Sequence, residues 1–125
     1  MKLVIPTERH RQVLDITDIV AQRVKPDAKA AAIWIGHTTA ALTAMDLDPG
    51  TDPDFLDALD HLLPQLPWRH PHDPAHTPEH LLASLIGPDL IVPVANGRLE
   101  LGEWQRLVLV EFAGPRERSL TVTWL

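Results

Sequence analysis

Prolines constrain this chain more than any other feature. Twelve fall among its 125 residues, spread from Pro6 to Pro115. Proline lacks a backbone N–H and has a fixed φ, so it ends helices and is expelled from the middle of sheets. A chain broken this often favours short elements with firm stops and argues against a helical bundle. Its 45% apolar content is nevertheless that of a globular protein. The length suits a single domain over residues 1–125, burying about two-thirds of the surface of its unfolded chain. There is no cysteine, which removes disulfides and thiolate metal sites and fits a reducing compartment.

Between the breaks, short apolar stretches alternate with polar turns. Residues 2–5 and 11–14 read as strands separated by PTERH. Residues 16–26 read as a helix capped by Thr17 and ended by Pro26. AKAAAIWI (28–35) is apolar at nearly every position, as in a strand buried on both faces, although alanine also favours helix. Residues 39–45 form a second strand. The clearest helix is 51–64, with Thr51 or Asp52 as cap, Pro53 in the first turn, and Phe55, Leu56, Leu59, Leu62 and Leu63 on one face. A histidine-rich loop (65–76) leads to a helix over 77–87, capped by Thr77 and ended by Gly87. Leu81, Leu82, Leu85 and Ile86 share a face there, and His80 and Ser84 point nearly opposite it. Four strands follow at 90–94, 98–101, 105–112 and 118–125, the last two read as a hairpin around Gly114-Pro115. The order predicts an α+β fold with mostly antiparallel pairing.

Charge narrows the function. The net charge is −6, and lysines and arginines form no stripe, so a nucleic-acid partner is not expected. No apolar run approaches the roughly 20 residues of a membrane span, and MKLVI is too short for a secretory leader. A cytoplasmic location is the expectation.

Four stretches carry residues suited to chemistry, and each has a plainer reading. In GHTTAAL, His37 stands at a strand edge beside the hydroxyls of Thr38 and Thr39. Such a group binds phosphate, holds a metal or moves a proton, but threonine is also an ordinary strand residue. HPHDPAHTPEH holds His70, His72, His76 and His80, but Pro74 and Pro78 argue against one continuous helix across them. Two of them meeting His37 would make a three-histidine zinc pattern with an open position, and a solvated loop is the alternative. Asp46 and Asp48 are candidates for a general base or for orienting a histidine, and equally for turn residues. Trp104, Gln105 and Arg116 could stack on a ring, bond its edge and hold a phosphate, or serve as core and surface.

Taken in order, HTTAALT, the Asp46-x-Asp48-Pro turn, Trp68-x-His70, HLLASLIGP, PVANGRLELGEWQ and EFAGPRER resemble the YjbQ family, also called the secondary thiamine-phosphate synthase family. The resemblance runs from about residue 14 to the end. It implies a small β-sandwich flanked by about three short helices, assembled as a homotrimer around a three-fold axis. It implies a secondary transferase activity that joins hydroxymethylpyrimidine diphosphate and thiazole phosphate into thiamine phosphate. The family's three motif histidines fall on His37, His70 and His80, its acidic pair on Asp46 and Asp48, and its Trp-Gln on Trp104 and Gln105. The implied cofactor is a divalent metal, zinc before magnesium. Met45-Asp46 replaces a common Asn-Glu, and Glu103 replaces a common threonine. The expectation is an enzyme acting on a phosphorylated small molecule. A non-catalytic trimeric binder of a metal or phosphometabolite is the alternative, and a metal that only clamps the trimer is the third reading.

Overall fold

The computed structural model describes residues 1–125. Eight strands and three helices follow one another as β1 (Lys2–Pro6), β2 (Gln12–Asp15), α1 (Thr17–Ala21), β3 (Ala30–Ile35), β4 (Ala40–Met45), α2 (Thr51–Leu62), α3 (Thr77–Ile86), β5 (Asp89–Ala95), β6 (Arg98–Leu99), β7 (Arg106–Glu111) and β8 (Glu117–Trp124). A 3-10 turn at Pro74–His76 leads into α3. The strands form two antiparallel sheets, ordered β1-β8-β3-β5-β6 and β2-β7-β4. The α+β sandwich is as expected.

The layers follow from alternation along the strands. Leu107 and Leu109 of β7 point to the larger sheet, where they meet Ile33, Ile35, Leu120 and Val122. Val108, Val110 and Phe112 point the other way and pack beneath the helices with Leu59 and Leu82. β7 is therefore buried on both faces. The order of layers is large sheet, small sheet, helices α2 and α3. α2 forms because Gly50, at φ 95°, turns the chain into it, acids occupy its first turn, and Phe55, Leu56, Leu59 and Leu63 face the small sheet.

Four expectations are corrected. β7 and β8 do not form a hairpin: β7 pairs with β2 and β4, whereas β8 pairs with β1 and β3. Residues 112–116 cross between the sheets beside a second crossing at 7–11. The two are joined by the Thr7 amide donating to Arg116 O and the Gly114 amide to His10 O. Second, β3 is buried on one face only: Ala31, Ile33 and Ile35 are buried, while Trp34 is 53% exposed. Third, Thr17 does not cap α1. Asp15 Oδ1 accepts the Thr17 amide, and the Thr17 hydroxyl lies buried against the Leu107 backbone. Fourth, α3 is rotated from its expected face: Glu79, Leu82 and Ala83 are buried, and Leu81 and Leu85 are exposed.

Candidate functional site

His37 lies two residues beyond the end of β3, and its place is set by the ladder beside it. β3 and β8 pair up to Ile35↔Leu120. The next amide of β8, that of Ser119, donates to His37 Nε2 at 3.1 Å. The ring therefore supplies the acceptor that the ended strand no longer offers. An amide only donates, so Nε2 carries the lone pair and Nδ1 carries the proton. Burial of the imidazole, together with the positive charge of Arg118, holds His37 below the ordinary histidine range.

His80 approaches from α3, and its Nδ1–H donates to Thr38 O at 3.2 Å. His70 arrives from the loop and stacks on His80, with ring centres 4.8 Å apart and planes 14° off parallel. His70 Nδ1–H donates to Pro71 O at 2.8 Å. Three separate segments thus meet. Trp34, Gly36, His37, Thr38, His80 and Ser84 line a cleft of about 540 Å³. Thr39 is buried and faces inward, where it serves a different contact. His72 is exposed, and His76 is paired with Asp73 at 3.1 Å.

Behind the cleft lies a pair that sequence reasoning did not single out. The side chains of Glu111 and Arg118 are 0% and 1% exposed and are bonded to each other between the sheets. Arg118 Nη2 also donates to Thr39 O and Thr39 Oγ1. Glu111 accepts from the Thr7 hydroxyl and from the amides of Phe112 and Ala113. The available signal was alternation: Glu111 and Arg118 share the inward parity of Leu109 and Leu120.

The other expected residues lie elsewhere. β4 runs about 17 Å from Ala40 to Met45, and Asp46 and Asp48 follow its far end. There Asp46, Asp48, Glu103, Trp104, Asp15 and Arg106 line a separate cavity. Asp46 Oδ2 organises its own turn, accepting from Thr51 Oγ1 and the Asp48 amide. Gln105 Oε1 accepts the Gly102 amide at 2.8 Å. Trp104 is 65% exposed. Arg116 lies at the His37 end, where its charge acts on His37 and its Nε donates to Ala113 O.

A three-histidine metal centre does not fit this arrangement. His70 and His80 each keep an Nε2, but the lone pair of His37 is engaged by Ser119. No three His, Asp or Glu side chains are close enough to hold an ion.

The family model described as UPF0047 protein YjbQ-like matches residues 1–125. The chain belongs to the YjbQ family. A UPF0047 protein of Archaeoglobus fulgidus is 34% identical over 123 residues, covering 98% of each chain. The UPF0047 protein YugU of Bacillus subtilis is 36% identical over 124 residues, covering 94% of this chain and 92% of the relative. Among solved structures, a conserved hypothetical protein of Thermus thermophilus superposes with a TM-score of 0.90 at 32% identity, covering 100% of this chain and 99% of that one. A protein of unknown function from Sulfolobus solfataricus superposes with a TM-score of 0.89 at 33% identity, covering 98% of this chain and 92% of that one. YjbQ-family membership accounts for the sandwich seen here. No helix is long and apolar enough to cross a membrane.

Proposed function

We propose that the cleft between β3 and α3 binds the phosphate or diphosphate of a small molecule, and that the protein is an enzyme of that chemistry. Thiamine-phosphate formation is its secondary activity. The observation that carries this reading is the meeting of His37, Thr38 and His80 from separate segments in one cleft. In such a transfer the thiazole nitrogen attacks the methylene carbon of the pyrimidine as the bond to diphosphate breaks. Negative charge then grows on the leaving oxygens, where fixed N–H and O–H donors act most strongly. His37 Nδ1–H and the Thr38 hydroxyl are such donors, and the Arg116 charge is near enough to act on His37. His80, its Nδ1–H pinned by Thr38 O, would carry a proton at Nε2 to the departing diphosphate. No step is assigned to a metal.

We also propose that the protein is a homotrimer. Val4, Trp34 and Ile91, each more than half exposed, lie on the bare face of the large sheet. Covering that face would explain why β3 is apolar on both sides. Trp34 belongs both to this face and to the cleft, so the cleft opens at a subunit boundary. Asp46, Asp48, Trp104 and Gln105 join the site only if a neighbouring copy brings them there.

The test is turnover of the two precursors by wild type, His37→Ala and His80→Ala. Loss of product in both variants supports the reading. Undiminished turnover in both would overturn it. Tight binding of diphosphate without turnover of any phosphorylated substrate would favour the non-catalytic binder.

A further inference from the structure

We infer that His37 is a hydrogen-bond donor to the bound anion through Nδ1–H, in a tautomer fixed by the Ser119 amide, and is not a metal ligand. The inference rests on the cleft being an anion site and specifies how one of its groups works. It differs from the metal role that the family resemblance implies for this residue.

A neutral imidazole has one lone pair and one N–H. Ser119 N–H engages the lone pair at Nε2. Turning the ring over would place a C–H against that amide and leave the partly buried N–H without an acceptor, so the structure permits one orientation. The nitrogen left for the cleft is therefore a donor. To ligate a metal through Nε2, His37 would have to release Ser119. To ligate through Nδ1, it would have to lose the proton that the Ser119 contact places there.

The amide that sets the tautomer is itself held. Ser119 follows Arg118, whose guanidinium is fixed by Glu111 and Thr39 inside the sandwich. Thr39 is two residues from His37, so one buried pair braces both partners of the contact. Arg118 and Glu111 are positioning residues, since neither lines the cleft. The positive charge of Arg118 also favours the neutral ring.

Two substitutions separate the two nitrogens. Gln reaches to about the Nε2 position and can accept from Ser119, but leaves nothing at Nδ1. Asn places its amide near Nδ1 and leaves Ser119 unpaired. With inorganic diphosphate as the probe, His37→Gln should melt near wild type and bind about tenfold more weakly or worse, the worth of one hydrogen bond to a charged group. His37→Asn should melt lower and retain more of the affinity. The opposite ranking in both readouts would overturn the inference. Nitrogen-15 chemical shifts of the wild-type histidines read the tautomer without any ligand. A protonated Nδ1 on His37, unmoved by added zinc, supports the assignment. A protonated Nε2, or a zinc-induced shift at either His37 nitrogen, refutes it whether or not diphosphate binds. A wild type that binds no diphosphate but keeps the Nδ1–H tautomer would overturn the anion site and the donor role, while leaving the Ser119 contact in place.

Discussion

At the residue scale, the Glu111–Arg118 pair is the most consequential arrangement in the chain. Both side chains are out of water, and each depends on the other and on Thr7 and Thr39. Removing one charge leaves its partner buried and uncompensated, which costs about 3–5 kcal/mol. Glu111→Gln is therefore expected to lower unfolding stability by about 3 kcal/mol in urea titration. Burial pushes the Glu111 carboxyl up, but the hydrogen bonds from Arg118, Thr7 and the Ala113 amide outweigh it and hold it below its ordinary value of 4.5. Its contribution is fully present above pH 4.5 and is lost as pH falls through the lower folded value. His37 acts earlier in an acid titration. Its folded value lies below the ordinary 6.5, so the unfolded chain takes up the proton first. Stability should begin to fall as pH drops below 6.5, and His37→Gln should flatten that part of the profile. Urea midpoints measured from about pH 8 to about pH 3 check both windows.

At the element scale, the paired crossings between sheets are the tightest point. A Cβ on Gly114 would lie 2.2 Å from Arg9 O and 2.8 Å from Thr7 Oγ1. Backbone cannot yield as a flexible side chain can, so Gly114→Ala is expected to cost about 3 kcal/mol or more, read as a fall in melting temperature. This is also where sequence reading failed. Gly114-Pro115 between two apolar strands looks like a hairpin turn, because local pattern does not record which sheet each strand joins. α2 is legible from Pro53 and from the spacing of Phe55, Leu56, Leu59 and Leu63, but Gly50 stands at its cap in place of Thr51 or Asp52, and Leu62 is exposed. The face of α3 is legible only in part: of Leu81, Leu82, Leu85 and Ile86, Leu82 and Ile86 pack inward beside Ala83 and Glu79, while Leu81 and Leu85 are exposed. Among the motif histidines, His37 and His80 line one cleft, and His70 stacks on His80 without lining it. Motif order groups Asp46 and Trp104 with them, but the strand expected over 39–45 already separates the two ends, and the structure keeps them apart. Glu111 and Arg118 went unmarked because their importance lies in burial.

At the scale of the whole molecule, the outer face of the large sheet is bare while the helices cover the opposite side of the sandwich. Trp34→Glu would place a charge at the centre of that face. The wild type is expected to sediment as a trimer, and the variant as a monomer with weaker diphosphate binding, because Trp34 also lines the cleft. A monomeric wild type would contradict the assembly and leave the single-chain cleft standing. The most direct test of that cleft is calorimetric titration of diphosphate into the wild type and His80→Ala at mildly acidic pH, where His80 can carry a proton on both nitrogens, with no divalent metal added. The anion site predicts saturable binding to the wild type and loss of about tenfold or more in affinity in the variant. Equal affinities in the two proteins, or no binding to either, would contradict it.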